Sequence, residues 1–531
     1  MLILVPILVY LVAAIALVIL HFWRPRPGIA WSIAAVTSLL VWSIVLALRL
    51  FIPNSITLGA ASSLVSFSFL STFILDKVSW PFSWALSASL LAWIFTSITE
   101  WTQNSSIQKS WWLWPAGLFF GSICLEGVMA GNLNTLIFTW AAMDLFFLFI
   151  FLIPNPSNQA VLYAFGTRAI GLFTAIGAAY TALGGTPLSF PLINVQANTF
   201  LFIGAFIRLF SVVFSSYIAS PSSQRNDLLI VSEISLITTS LVVFSRSTSI
   251  GYITAFVPFM TLLAVIMAVT GGFFFTGSNL EIRKRLYWYV ALVGIVTVAA
   301  VKLLTEASIA WGLALILSGS LLIFHRKKIL DYYFLFVMGL IGFSALPFTP
   351  AWQGIQIFPE IGNLFQSGFL WVPVQIGFSL LISGYIITIY TPRPMIEGAE
   401  RWNRIVYPIG LFFLPFTQIV ILLIGQPGLL NDLQAFPQLT YLWVNLLIAI
   451  VSFFLIVSIL RFPGLTNWLT RLQNQISVFS LIRNLLTFLQ MVIQRIVHLF
   501  DMLFEGEGGI LWTILFLLLL LALLSQLNIG V

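Results

Sequence analysis

The sequence predicts an all-α polytopic membrane protein. Of the 531 residues, 60% are apolar and only 7% are Asp, Glu, Lys or Arg. The apolar residues fall into long continuous stretches, and these lack the alternation of a strand. A hydrocarbon core of about 30 Å takes roughly 20 apolar residues per helix, and about 15–17 such stretches follow one another along the chain. Runs such as Leu515 to Leu521 are apolar at every position, whereas a membrane β-barrel would place a polar residue at every second one.

In order, spans are expected at 2–22, 29–51, 55–74, 80–98, 112–130, 132–153, 161–183, 199–219, 227–245, 250–272, 286–304, 306–324, 331–349, 368–390, 405–425, 438–460 and 509–527. The stretch 55–74 is rich in Ser and reads alternatively as a short hairpin or an interfacial segment. The first stretch, Leu2 to Leu20, has no basic residue before it and no small-residue cleavage site after it, so it is expected to stay as a span. Basic residues cluster at Arg24 and Arg26, at Arg283–Arg285, at His325–Lys328 and from Arg393 to Arg404. With 55–74 discounted, these loops all follow odd-numbered spans, which puts them on the cytoplasmic side and the N-terminus outside.

From Leu465 to Phe500 apolar residues recur at 465, 468, 472, 476, 479, 482, 486, 489, 493, 496 and 500, always in steps of three or four. That is the spacing of an amphipathic helix. Arg471, Arg483 and Arg495 lie off the apolar stripe, so the helix is expected along a surface. It either rests on lipid headgroups or clamps neighbouring subunits, and Glu505, Glu507, Gly508 and Gly509 break it before the last span.

Composition excludes several classes of function. The formal charge of +7 resides mostly in short loops between spans, which is the positive-inside pattern and not a nucleic-acid surface. No Gly-rich phosphate loop or Rossmann fingerprint occurs, so no soluble cofactor is expected. The single cysteine, Cys124, excludes an internal disulfide or a cluster held by several cysteines of this chain. His21, His325 and His498 are too scattered for a metal site.

A charge at bilayer depth is costly unless it faces the bundle interior and finds a partner, so ionisable residues within apolar stretches are functional candidates. They are Glu126, Asp144, Arg168, Arg208, Glu233, Lys302 and Glu306. Asp144 either pairs with Arg208 or is held by backbone and Ser donors. Arg168 reads as a partner of a carbonyl or of Asp144. Glu233, beside Ser232 and Ser235, is either a neutral hydrogen-bonded acid or part of a proton path. Lys302 and Glu306 are four residues apart and read as an interfacial pair or as part of that path.

Several segments then resemble one family. The run Leu201 to Phe214, with Gly204 four residues before Arg208, resembles the broken helix of the antiporter-like subunits of respiratory complex I and of Mrp-type cation/proton antiporters. Glu281-Ile282-Arg283-Lys284-Arg285-Leu286-Tyr287-Trp288 is similar to that family's Asp-Ile-Lys-Arg-x-Leu-Ala-Tyr signature. Leu317 to Ser320 resembles its Gly-Ala-Gly-Ser segment, and Gly339, Gly342, Leu346 and Pro347 resemble its second broken helix. Asp76 and the Thr167–Arg168 pair resemble an early Asp and a Thr-Arg pair of the largest such subunit.

The resemblance implies two inverted helical-bundle repeats containing broken helices, about 111–245 and 250–395, within a core of 111–395. Helices of 1–110 would precede the core. Further spans in 396–462, a lateral helix in 463–508 and a terminal span in 509–531 would follow. It also implies a bacterial inner (plasma) membrane, other membrane subunits as partners, and any redox cofactor on those partners. Catalysis by this chain alone is not expected.

The family's proton-conducting axis is degenerate here. Ala141 stands where the family has Glu, Arg208 where it has the first Lys, and Trp311 where it has the second. Val213 and Ser215 replace a Pro and a His. A buried Lys can release its proton near neutral pH and Arg cannot. Asp144, three residues past Ala141, could stand in for the missing Glu. The chain is therefore expected to be either a translocating subunit with a rerouted axis through Asp144, Arg208, Glu233, Lys302 and Glu306, or a structural or coupling subunit of the same kind of complex.

Overall fold

The computed structural model describes residues 2–23, 27–58, 71–103, 112–152, 159–182, 189–190, 193–218, 225–278, 281–324, 333–359, 369–390, 401–425 and 442–461, with Met491 and Arg495. The lateral helix and the terminal span expected from the sequence lie outside these residues. The described residues up to Arg461 belong to one compact unit, Met1–Phe462.

The protein is an all-α polytopic membrane protein. Its helices are α1 (Val5–Trp23), α2 (Pro27–Ala47), α3 (Ser79–Gln103), α4 (Leu113–Val128), α5 (Leu133–Leu152), α6 (Gln159–Thr181), α7 (Val195–Ile218) and α8 (Arg225–Ser247). They continue as α9 (Phe256–Gly277), α10 (Glu281–Val301), α11 (Thr305–Phe324), α12 (Tyr333–Phe343), α13 (Trp371–Tyr390), α14 (Arg401–Gly425) and α15 (Leu442–Arg461). Among the described residues, 11 helices are long and apolar enough to cross a membrane. Of the Ser-rich stretch the two ends are described. They form an antiparallel hairpin, β1 (Asn54–Leu58) and β2 (Ser71–Leu75), in the register Asn54 opposite Leu75.

The centre of the bundle is set by α8 and α11, whose apolar windows are wholly buried. Both helices carry polar side chains, Glu233 and Ser/Thr hydroxyls on α8 and Ser308, Ser318 and Ser320 on α11, that lipid tails cannot satisfy, so they occupy the interior. Around this pair, α6 packs on α7, α9 on α10 and α13, α14 on α3, and α1 on α4. The α6–α7 crossing is close because it is made of glycine. A Cβ on Gly204 would lie 2.7 Å from the Gly171 carbonyl oxygen, and one on Gly171 would lie 2.6 Å from that of Gly204.

Two expectations about helix breaks resolve differently. The run 201–214 lies inside the continuous helix α7, a correction to the break expected there. Its cause is local: with Val213 in place of the family's Pro, nothing removes an N–H from the helical ladder. By contrast, α12 does break after Phe343. Ala345 (φ 52°) and Phe348 (φ 61°) turn through the left-handed region before a 3₁₀ helix resumes at Trp352–Ile357. Backbone groups freed at membrane depth must find donors inside the protein. Ser318 Oγ donates to the Gly339 carbonyl at 3.0 Å and Gln418 Nε2 to that of Gly342 at 2.9 Å.

A second correction concerns the basic cluster Arg283–Arg285, expected in a loop. These residues lie within the first turns of α10, and Lys284 and Arg285 are buried. Lys284 Nζ donates to Thr388 Oγ1 at 3.2 Å. The apolar pattern had placed the start of this helix at 286, because charged residues read as loop when no partner is visible in the sequence.

One face of the bundle is tied together by caps. Asp76 Oδ1 accepts the N–H groups of Val78 and Ser79, and Ser79 Oγ accepts that of Asp76, a reciprocal cap on α3. Asn132 caps α5 through the Thr135 N–H at 2.8 Å, and Asn194 caps α7 through the Ala197 N–H at 2.7 Å. Arg246, in the last turn of α8, donates to the Ala130 carbonyl and reaches Asp76 Oδ2 at 3.4 Å. Burial would raise the Asp76 carboxyl, but Arg246 and the Ser79 and Val78 donors outweigh it and hold the group below the usual aspartate range.

Because the folded pKa of Asp76 is depressed, the stability it contributes is present above the unfolded value, about 3.9, and is lost as pH falls through the folded one. Thermal melting in detergent should show Asp76→Asn less stable than the parent at pH 7, with the gap closing as pH falls below that range. Equal melting temperatures at pH 7 would remove Asp76 from any account of this face.

A buried charge cluster as the candidate functional site

Helices α5, α6 and α7 bring Asp144, Arg168 and Arg208 together. The Gly171–Gly204 crossing lies three residues from Arg168 and four from Arg208, so both arginines leave their helices at the point where the backbones are closest. Arg208 grips Asp144 with both terminal nitrogens, Nη2 donating to Oδ1 at 2.9 Å and Nη1 to Oδ2 at 2.5 Å. The side chains are 0% and 3% exposed, so the pair is removed from solvent. The Arg208 guanidinium also lies 4.4 Å over the ring of Trp140, one turn before Asp144 on α5.

Arg208 Nη1 further donates to the Arg168 carbonyl at 3.3 Å. Arg168 Nε donates to Ser211 Oγ at 3.2 Å, and its guanidinium stacks over Phe147 at 3.7 Å. Arg168 is thus coupled to the pair through a carbonyl, a hydroxyl and an aromatic face. Ala141 is half-buried, one step off the buried stripe occupied by Trp140 and Asp144. The carboxylate three residues later therefore meets the cation where one at position 141 would not.

A second buried pair links α8 to α10. Arg285 Nε and Nη2 each lie 3.2 Å from a carboxylate oxygen of Glu233. Tyr289, one turn beyond Arg285, is buried beside them. Glu233 is therefore held by a guanidinium, a partner the sequence reading missed although Arg285 belongs to the run that carried the family resemblance. Arg246 with Asp76 was missed as well; its signal was a lone arginine at the end of a hydroxyl-rich helix. Arg168 interacts electrostatically with both Asp144 and Glu233. The cluster accordingly holds three guanidiniums, Arg168, Arg208 and Arg285, against two carboxylates.

Along α8 the hydroxyls of Ser235, Thr238, Thr239, Ser240 and Ser245 are buried between the second pair and the Arg246 end. Ser245 meets Ser308 of α11 at 3.0 Å, and Thr248 meets Thr305 at 2.5 Å.

The remaining candidates lie apart from the cluster. Lys302 occupies the turn between α10 and α11, where Leu303 takes a left-handed conformation (φ 61°). Its Nζ donates to the Ile357 carbonyl at 2.7 Å, and burial lowers its pKa. Glu306 opens α11 and forms no ion pair with Lys302, because the turn between them removes the helical i, i+4 geometry. Trp311 is fully buried and donates from Nε1 to the Gly354 carbonyl at 3.0 Å. Glu126 is half-buried near the end of α4. Among the described residues no group of His, Cys, Asp and Glu has the makings of a metal site.

Removing one partner of a buried pair leaves the other charge uncompensated, at a cost of about 3–5 kcal/mol. Arg208→Met should therefore destabilise the chain severely, whereas the double change Arg208→Met with Asp144→Leu should recover most of the loss. A double-mutant cycle of thermal melting checks this, and additivity of the two single changes would refute the coupling.

No family model and no curated protein matches the sequence. Solved structures do. A chain of the Mrp complex from Dietzia sp. superposes with a TM-score of 0.69 at 12% identity, covering 99% of this chain and 63% of that one. This chain therefore spans less than two thirds of the Mrp chain's length. A chain of the membrane-bound sulfane sulfur reductase, an archaeal respiratory membrane complex, matches at 0.68 and 14% identity over 97% of this chain and 99% of its own. A chain of respiratory complex I from Thermus thermophilus matches at 0.55 and 12% identity over 80% and 99%. The likeness agrees with the antiporter-like resemblance in the sequence, and at these identities what it establishes is the fold, one shared with chains of three multi-subunit membrane complexes.

Proposed function

We propose that this chain is a membrane subunit of a complex-I-like or Mrp-like assembly that translocates protons or cations, built on a rerouted axis of Asp144, Arg208 and Glu233 with Arg285. The observation that carries the reading is the pair of buried, bidentate ion pairs in a fold shared with chains of such complexes. Buried charge costs stability in an apolar bundle, and its retention is what a transport function would explain. Arginine is a poor proton exchanger beside lysine, so the carboxylates Asp144 and Glu233 are the groups assigned to the path. Neutralising Asp144 would loosen its grip on Arg208 and change the field at Glu233 across α8. Lys302 and Glu306 sit on the α10–α11 turn, outside these pairs, and we leave them off the central axis.

A second reading, a structural or coupling subunit of the same kind of complex, is favoured by one observation. Arg208 replaces an amine that could deprotonate, and its pair with Asp144 is already fully formed. In both readings the chain works with other membrane subunits, and redox chemistry would belong to partners. We place it in the inner membrane of a bacterium with the N-terminus outside, on the basic loops at 24–26, 325–328 and 393–404.

The test is purification of the tagged chain with its partners in mild detergent, reconstitution, and measurement of proton flux. Asp144→Asn and Glu233→Gln should abolish most of the flux with assembly intact. Unchanged flux would favour the structural reading, and purification without partners would count against both.

A further inference from the structure

Helices α9–α13 carry a continuous set of aromatic rings at the level where α12 breaks. Trp288 of α10 stands edge-on to Phe343 of α12, with ring centroids 5.0 Å apart, and lies 5.7 Å from Tyr385 of α13. Phe343 meets Tyr385 at 4.9 Å and Phe378 at 6.4 Å. Phe378 meets Trp311 of α11 edge-on at 4.8 Å. All five side chains have 0% exposure. Seven residues separate Phe378 from Tyr385 on α13, so the rings stack over about 10 Å of the bundle's height.

Two features fix the column in place. The Trp311 indole is anchored to the Gly354 carbonyl of the 3₁₀ segment, and a Cβ at Gly354 would lie 2.5 Å from that ring. The broken ends of α12 are held by Ser318 and Gln418 beside the column and not within it. Every charged residue of α9–α13 lies in the first turns of α10 or at the α10–α11 turn, so none interrupts the rings. By contrast α5–α8 carry Asp144, Arg168, Arg208 and Glu233 within their buried faces, and Glu233 reaches α10 only at Arg285, one turn before Trp288.

We infer that this aromatic column, with Trp311 as its keystone, closes the space between α10, α11, α12 and α13 to water and ions at the level of the break, so that charge crosses the subunit along α5–α8 and their α10 partner Arg285. A tightly packed aromatic constriction excludes a water column because it offers water no replacement for its lost hydrogen bonds. The closure stands on geometry; only its consequence for charge movement rests on the translocating reading proposed above.

Hydroxyl-radical footprinting of the assembled complex in native membranes, read by mass spectrometry, separates the two. Side chains bordering water become oxidised. Trp288, Trp311, Phe343, Phe378 and Tyr385 should remain unmodified, while Trp140, equally buried over Arg208, should become oxidised if water visits the Asp144–Arg208 pair as the translocating reading requires. In Trp311→Ala, oxidation of Phe378 should rise severalfold, and Trp311→Phe should keep the protection because it retains the ring. Oxidation of Trp311 and Phe378 in the parent at the rate of Trp140 would overturn the closure, a result readable even if the Ala variant fails to assemble. Continued protection of Phe378 in an assembled Trp311→Ala complex would overturn the keystone role. Protection of Trp140 alongside the column would uphold the closure and count against the translocating axis instead.

Discussion

An arginine in the interior of an apolar bundle cannot shed its charge, so the surroundings must be built around it. Arg208 imposes this constraint on the first half of the chain. Its guanidinium has no exposure, and the cost of its desolvation is recovered only through two hydrogen bonds to Asp144, a third to the Arg168 carbonyl, and the face of Trp140. Those partners lie on two helices, α5 and α6, and bringing them within reach of Arg208 requires α6 and α7 to touch backbone to backbone. Gly171 and Gly204 make that possible, and any side chain at either position would push the arginines off their partners.

The same logic recurs at longer sequence separation. Arg285 draws α10 onto α8 through Glu233, and Arg246 draws the end of α8 onto the hairpin and the start of α3 through Asp76. Apolar contacts between helices in lipid are weakly directional, since the tails are as apolar as the side chains. Ion pairs and caps therefore supply much of the register. Their placement explains why α8, flanked by both, is wholly buried although it carries a carboxylate, an arginine and a row of hydroxyls.

The spans were legible in the sequence because apolar length is read one residue at a time, whereas the Asp144–Arg208 pair was one of two readings left open, the other being a carboxylate held by backbone and Ser donors. Arg285 was opaque for the converse reason: beside Arg283 and Lys284 it reads as part of a charged loop, and only the approach of α8 shows which of the three turns inward. The antiparallel pairing of 54–58 with 71–75 fits one of three readings that serine-rich composition left open, a span, a short hairpin or an interfacial segment. The continuous α7 was hidden by its likeness to a broken helix, although Val213, lacking proline's constraint, was already the sign. Lys302 and Glu306 had helical spacing but a left-handed Leu303 between them, and such a conformation in a leucine is set by tertiary contacts and not by the residue.

Fixed guanidiniums also alter what a proton could do in this cluster. With both carboxylates ionised, three cations face two anions, and binding a proton to either carboxylate raises the excess further in a poorly screened interior. An amine at the position of Arg208 could answer by releasing its own proton, whereas Arg208 can answer only by moving. A proton that visits Asp144 would therefore have to be matched by displacement of Arg208 toward another acceptor or by a change at Glu233 and Arg285. The carrier of the signal is then the relative position of α5, α7, α8 and α10, not a chain of exchanging side chains. Beyond Arg285 the aromatic rings shared by α10, α11, α12 and α13 carry no charge, so such a displacement would end at that pair and not continue among them.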